Sequence, residues 1–144
     1  MSATSLTTTE IMAILPHRYP MLMVDRVDEL VAGERITARK NVTVNEAVFQ
    51  GHFPGNPTFP GVLQLEALAQ AGAVALLSLP DFAGKTVYLG GIKKAKFRKM
   101  VRPGDTLILN VTIGKLAGNV GSGSGTVVVD GETACSAELL FAIS

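Results

Sequence analysis

Between Gly51 and Gln70 the chain sets two proton-handling side chains among residues that handle none: Gly51-His-Phe-Pro-Gly-Asn-Pro-Thr-Phe-Pro-Gly-Val-Leu-Gln-Leu-Glu-Ala-Leu-Ala-Gln70. His52 stands in a segment stiffened by Pro54, Pro57 and Pro60, and Glu66 follows on an otherwise apolar run. A carboxyl desolvated by apolar neighbours holds its proton to higher pH and can serve as an acid. An imidazole near neutrality can serve as a base. Two groups with opposed protonation preferences form an acid–base pair. Gly61 supplies a third part. Its N–H falls in the first turn of a helix, where no intrahelical acceptor exists, and the missing side chain lets a substrate approach. A carbonyl oxygen gaining charge there would be stabilised by the N–H and the helix dipole. Base, acid and oxyanion donor suit removal of a proton beside a carbonyl and expulsion of a leaving group beyond it. Each residue taken alone also has a structural reading: loop geometry for His52 and Gly61, an ion pair with an arginine for Glu66.

The elements that must hold these groups follow from patterning. Thr7 and Glu10 have capping-box spacing ahead of Ile11, Met12, Ile14 and Leu15, so a short amphipathic helix is expected, stopped by Pro16. Met21 to Val27 reads as a first strand and Arg35 to Val44 as a second. Gly51 to Gly61 is an ordered irregular loop, and Pro60 suits the first helical position. Val62 to about Ser78 is nearly apolar all round and calls for a helix wrapped by other structure. Thr86 to Lys99 and Thr106 to Lys115 read as strands. Val120 to Val129 and Thr133 to Ile143 flank Asp130-Gly131, a two-residue hairpin signal. There is no internal repeat and no linker. The expected fold class is α+β, one long buried helix enclosed by a mostly antiparallel sheet.

Composition narrows the setting. A chain of 144 residues suits one domain, expected to span residues 1–144. The single cysteine, Cys135, excludes an intramolecular disulfide, fits a reducing, cytoplasmic compartment, and reads as a small buried hydrophobe. The first ten residues have neither a basic start nor an apolar core, so no signal peptide is expected. Gln64, Glu66 and Gln70 interrupt the longest apolar stretch, which argues against a membrane span. Hydrophobic residues make up 47% of the chain and the mean hydropathy is +0.34, more apolar surface than a small monomer hides, so an oligomer is expected.

The 51–70 segment resembles the signature of the FabZ family of (3R)-hydroxyacyl-acyl-carrier-protein dehydratases. So do Leu15-Pro-His-Arg-Tyr-Pro-Met-Leu-Met-Val-Asp-Arg26, Gly91-Ile-Lys-Lys-Ala-Lys-Phe-Arg98 with Val101-Arg-Pro-Gly-Asp105, and Val129-Asp-Gly-Glu-Thr-Ala-Cys-Ser-Ala-Glu-Leu139. The resemblance runs through nearly the whole chain in order. It implies a hot-dog fold, a single dehydratase domain, and dimers assembled as a trimer of dimers, with His52 of one chain facing Glu66 of the other. It implies loss of water from a (3R)-3-hydroxyacyl thioester to give a trans-2-enoyl thioester, as in bacterial type II fatty acid biosynthesis. His52 takes the place of the family base, Glu66 of the acid and Gly61 of the thioester-polarising N–H. The related FabA dehydratase-isomerases carry an aspartate at the acid position, so Glu66 favours the FabZ side. A second division gives His52 both proton transfers and leaves Glu66 to orient the hydroxyl.

No cofactor is implied, and His17 and His52 show no metal-ligand spacing. His17 reads as structural. Arg18 and Tyr19 read as pins between the N-terminal helix and the body. Tyr88 matches an aromatic position that could gate an acyl tunnel, Phe59 could line the tunnel mouth, and Gln70, one turn past Glu66, could hydrogen-bond it; the rivals are a core or interface tyrosine for Tyr88, core packing for Phe59 and a helix-capping or interface role for Gln70. Six of the thirteen basic residues, and none of the twelve acidic ones, fall between Lys93 and Arg102. The rest of the chain is net acidic. Strand alternation puts Lys94, Lys96 and Arg98 on one face, Ala95 and Phe97 on the other. An acidic acyl carrier protein would be steered to such a face; a charged strand that resists edge pairing is the alternative. No motif supports nucleic-acid binding. Ser122 and Ser124, between glycines, stand where many relatives carry lysines, which weakens a carrier contact there. Rival functions are a dehydratase that also isomerises the double bond, a hot-dog acyl thioesterase, and a non-catalytic acyl-thioester sensor.

Overall fold

In the computed structural model, which describes residues 3–144, seven strands form one antiparallel sheet and one long helix lies against it. Met1 and Ser2, the start of the segment read as lacking a leader, lie outside the described residues. The strands are β1 (Thr4–Leu6), β2 (Arg26–Val31), β3 (Arg35–Asn41), β4 (Val87–Phe97), β5 (Thr106–Ala117), β6 (Val120–Val129) and β7 (Glu132–Ile143). Their order across the sheet is β1-β2-β3-β5-β6-β7-β4. Helix α1 spans Thr8–Ile14 and helix α2 spans Gly61–Leu77. A long helix against an antiparallel sheet is the hot-dog arrangement that the family resemblance implies.

Helix α1 begins where the capping box sets it. The Thr7 hydroxyl accepts from the Glu10 amide, and the Glu10 carboxylate accepts from the Thr7 amide, which holds that carboxyl below its usual range. Arg18 closes the other end, donating to the carbonyls of Met12, Leu15 and His17. Tyr19 pins nothing: it is 80% exposed.

Helix α2 starts at Gly61, with Pro60 as its N-cap, one residue later than Pro60 at the first helical position would give. From Gln64 to Leu77 every residue is buried except Glu66. The sheet bends close around this helix because β6 turns glycines inward. A Cβ at Gly125 would lie 3.2 Å from Leu68, and one at Gly123 would lie 3.2 Å from the Phe141 ring. The Gly-Ser-Gly-Ser-Gly run therefore seats α2 on one face and leaves Ser122 and Ser124 on the other. Cys135 is fully buried as expected, and burial pushes its thiol up to about 11.

The first strand departs from expectation. Met21 to Asp25 is not strand; β2 begins at Arg26. The reason lies far along the chain: the Gln70 side chain donates to the Met21 carbonyl and accepts from the Met23 amide, each at 2.7 Å. Those backbone groups are occupied by a side chain and cannot join a ladder. The β6–β7 hairpin follows expectation, with Asp130 at φ 50° and Gly131 at φ 78°, the left-handed pair of a two-residue turn.

Candidate active site

His52 is placed by the loop that surrounds it. A 3₁₀ turn over Ala47–Gln50 precedes it, and the Val48 carbonyl accepts from both the Gly51 and His52 amides. The buried Lys40 ammonium anchors this turn through Glu46 Oε1 at 3.0 Å, and Glu46 Oε2 accepts from the Thr43 amide. The loop 52–58 then closes on itself. The Thr58 amide donates to the His52 carbonyl, and His52 Nδ1 lies 2.6 Å from the Thr58 carbonyl oxygen. A carbonyl only accepts, so Nδ1 carries the proton and neutral His52 has its lone pair on Nε2. The Phe53 ring stacks on the imidazole at 3.9 Å, and Arg102 holds the loop tip through Asn56 Oδ1 at 3.0 Å.

Glu66 stands on α2 as the one partly exposed residue of the buried stretch. It faces a cavity of about 170 Å³ bounded by His17, Ala69, Gln70, Ala73, Val87 and Tyr88. The carboxylate is not alone among apolar atoms, as the sequence suggested: Gln70 Nε2 donates to its Oε2 at 2.6 Å, and His17 Nε2 lies 3.8 Å from the same oxygen. The expected Gln70–Glu66 contact is present, one helical turn apart. Glu66 Oε1 has no hydrogen-bond partner among the described residues.

The other expected residues divide. Tyr88 borders the Glu66 cavity and is 59% exposed. The Gly61 N–H has no acceptor among the described residues, and the Phe97 ring covers its α-carbon so closely that a Cβ would stand 2.8 Å away. Phe59 is 2% exposed within the chain, tilted against Phe49 with the Lys40 ammonium over its ring, and borders none of the cavities described. His17, read from the sequence as structural, stands in the Glu66 cavity. A histidine beside a proline carries no local sign of a glutamate 49 positions on.

His52 and Glu66 themselves do not meet. Within one chain they share neither a hydrogen bond nor the cavity that holds Glu66. That cavity borders β4, an edge strand with no neighbour on its outer side among the described residues, which exposes Tyr88, Leu89, Ile92 and Phe97.

Lys94, Lys96 and Arg98 do line one groove, with Asn110, Ser124 and Ser136 in its floor. A bulge helps. Lys94 has φ 53°, and three steps along β4 from Lys93 to Lys96 oppose two along β7 from Glu138 to Ser136. Lys93 borders the adjoining groove with Glu138. The cluster is less uniformly basic than its sequence: Arg102 holds the His52 loop, Lys99 lies 3.6 Å from Glu132, and Lys94 lies 3.9 Å from Glu138.

Residues 15–138 match the family of FabA-like domains. The chain is 70% identical to the 3-hydroxyacyl-[acyl-carrier-protein] dehydratase FabZ of Oenococcus oeni, over 96% of this chain and 99% of that protein. It is 62% identical to the protein of the same name from Enterococcus faecalis, over 96% and 98%. Among solved structures, a chain of the dehydratase heterocomplex ApeI:P from Xenorhabdus doucetiae superposes with a TM-score of 0.79, covering 93% of this chain and 90% of that one. At 18% identity that likeness speaks for the fold.

Proposed function

The chain belongs to the FabA-like domain family, among its FabZ-type 3-hydroxyacyl-[acyl-carrier-protein] dehydratases, and from that membership we propose how its own residues carry the reaction. The protein is a hydro-lyase of bacterial fatty acid biosynthesis, removing water from a 3-hydroxyacyl group borne by acyl carrier protein. We read residues 1–144 as one such domain. His52 Nε2 takes the proton from C2 of the (3R)-3-hydroxyacyl thioester. The Gly61 N–H holds the thioester oxygen while charge builds on it. Glu66 delivers a proton from Oε1 to the hydroxyl on C3; the C3–O bond breaks, the C2–C3 double bond forms, and water leaves. The base ends protonated and the acid ionised, and a proton returned from His52 to Glu66 through solvent resets the pair.

The observation that carries this reading is the pair of atoms unpartnered among the described residues, His52 Nε2 and Glu66 Oε1. His52 is fixed through Nδ1 and so offers Nε2; Glu66 is fixed through Oε2 and so offers Oε1. The test is direct. Purified protein added to a 3-hydroxyacyl thioester should produce enoyl absorbance without free thiol. Thiol release with no enoyl signal would make it a thioesterase.

The site takes one half from each of two chains. Three observations support this reading: His52 and Glu66 lie apart within one chain, the Glu66 cavity borders an edge strand whose outer side is open among the described residues, and that strand exposes four large apolar side chains. An exposed apolar edge invites pairing with another strand. A two-fold dimer joined at β4 would cover it and create two equivalent sites; further association would give the trimer of dimers.

Lys94, Lys96 and Arg98 receive the acyl carrier protein. Support comes from their shared groove and from the net acidic balance of the rest of the chain. The exposed Lys94–Glu138 pair does little to neutralise them, since such pairs are weak in water. Reversing the three charges should raise KM for carrier-bound substrate about tenfold or more, and leave a small pantetheine thioester almost untouched. Added salt should mimic the change on wild-type protein, because exposed charges are screened beyond about 8 Å at physiological ionic strength. Equal losses on both substrates would instead mean a damaged sheet.

No helix among the described residues is long and apolar enough to cross a membrane. We place the protein in the cytoplasm on its lone buried cysteine and on the substrate it shares with its relatives.

A further inference from the structure

His17 follows α1 and Pro16, and its ring stands in the cavity of Glu66, with Nε2 3.8 Å from Glu66 Oε2. Its Nδ1 is buried with no hydrogen-bond partner among the described residues. We propose that His17 is a positioning residue for Glu66: with Gln70 it holds Oε2 as an acceptor and so makes Oε1 the oxygen that carries the transferable proton. The inference rests on Glu66 being the acid of the reaction above.

The argument is an account of donors. Gln70 cannot turn over, because its Oε1 accepts from the Met23 amide while its Nε2 donates to the Met21 carbonyl and to Glu66 Oε2. One donor is therefore fixed on Oε2. For His17, a proton on Nδ1 would be a buried N–H with no acceptor, a rarer and costlier arrangement than a bare lone pair. The neutral ring thus carries its proton on Nε2, the atom nearest Oε2. The present separation is too long for a hydrogen bond, and a ring rotation closing about 1 Å would make one; contacts of this kind tighten when substrate binds. With the Gln70 N–H on Oε2, and the His17 N–H joining it once the ring has turned, a carboxyl proton on that oxygen would oppose them, so it sits on Oε1.

The protein has only two histidines, and their surroundings assign them opposite tautomers: Nδ1–H in His52, Nε2–H in His17. Nitrogen-15 spectra of histidine-labelled protein at neutral pH should show one of each, with His17→Gln removing the Nε2–H pattern. In kinetics, His17→Leu should lower kcat about tenfold or more with KM within about twofold, and His17→Gln, which keeps an N–H donor, should recover most of the rate. A His17 found as Nδ1–H would overturn the proposal. So would a folded His17→Gln as slow as His17→Leu, or a His17→Leu at full kcat beside an inactive Glu66→Gln. If Glu66→Gln itself runs at full rate, the fault lies with the acid assignment instead. Should His17→Leu not fold, the tautomer and His17→Gln decide the matter.

Discussion

His52→Ala and Glu66→Gln should each lower dehydration at least about a hundredfold, the range usual for loss of a general acid or base. His52→Ala removes the Nε2 lone pair that would take the C2 proton. It also removes the Nδ1–H bond to the Thr58 carbonyl, but the loop keeps its backbone closure between Thr58 and His52 and its tie from Arg102 to Asn56. Glu66→Gln keeps shape and removes the transferable proton. Its side-chain oxygen can still accept from Gln70, so α2 should stay in place. Enoyl formation would be followed by absorbance, and folding by thermal melts of each variant. Two well-folded variants running near the wild-type rate would leave the mechanism without its acid and base.

Mixing those two variants should restore activity that neither has alone. In a two-fold dimer with one half-site from each chain, every site of a His52→Ala dimer lacks its base, and every site of a Glu66→Gln dimer lacks its acid. A mixed dimer holds one site with both defects and one with neither. Random pairing makes half the dimers mixed, so about a quarter of all sites should be intact. Against parents reduced a hundredfold, the return is large and easily measured. The two chains would be co-expressed with different tags, and the mixed dimers isolated and assayed. Mixed dimers no more active than their parents would mean that each chain supplies its own pair, and the exposed face of β4 would need another explanation.

Much of this was legible in the sequence because the information was local. The Thr7–Glu10 spacing defines the start of α1, the apolar run from Val62 defines α2, and Asp130-Gly131 defines the last hairpin. Each depends on residues a few positions apart, whose backbone and side-chain preferences act without the rest of the chain. The segment from His52 to Gln70 is of this kind too: helical periodicity sets Gln70 one turn from Glu66, and the contact forms.

What only the tertiary structure decided depends on partners far away in the chain. Met21 to Asp25 has the composition of a strand, but Gln70 claims its amide and carbonyl groups. Phe59 lies seven positions past His52 in the sequence, and it is Lys40 and Phe49 from elsewhere in the chain that pack against its ring. Lys93 and Lys94 border the same groove system because one residue of β4 takes a left-handed conformation, which strict alternation does not foresee. His17 reaches Glu66 only because α1 and its following loop fold back onto α2. Sequence fixes which side chains can give, take or hide a proton, since that is a property of each residue. Which oxygen of Glu66 is held follows from Gln70 one turn downstream, whereas the His17 ring, 49 positions upstream, comes within 3.8 Å of that oxygen only through folding.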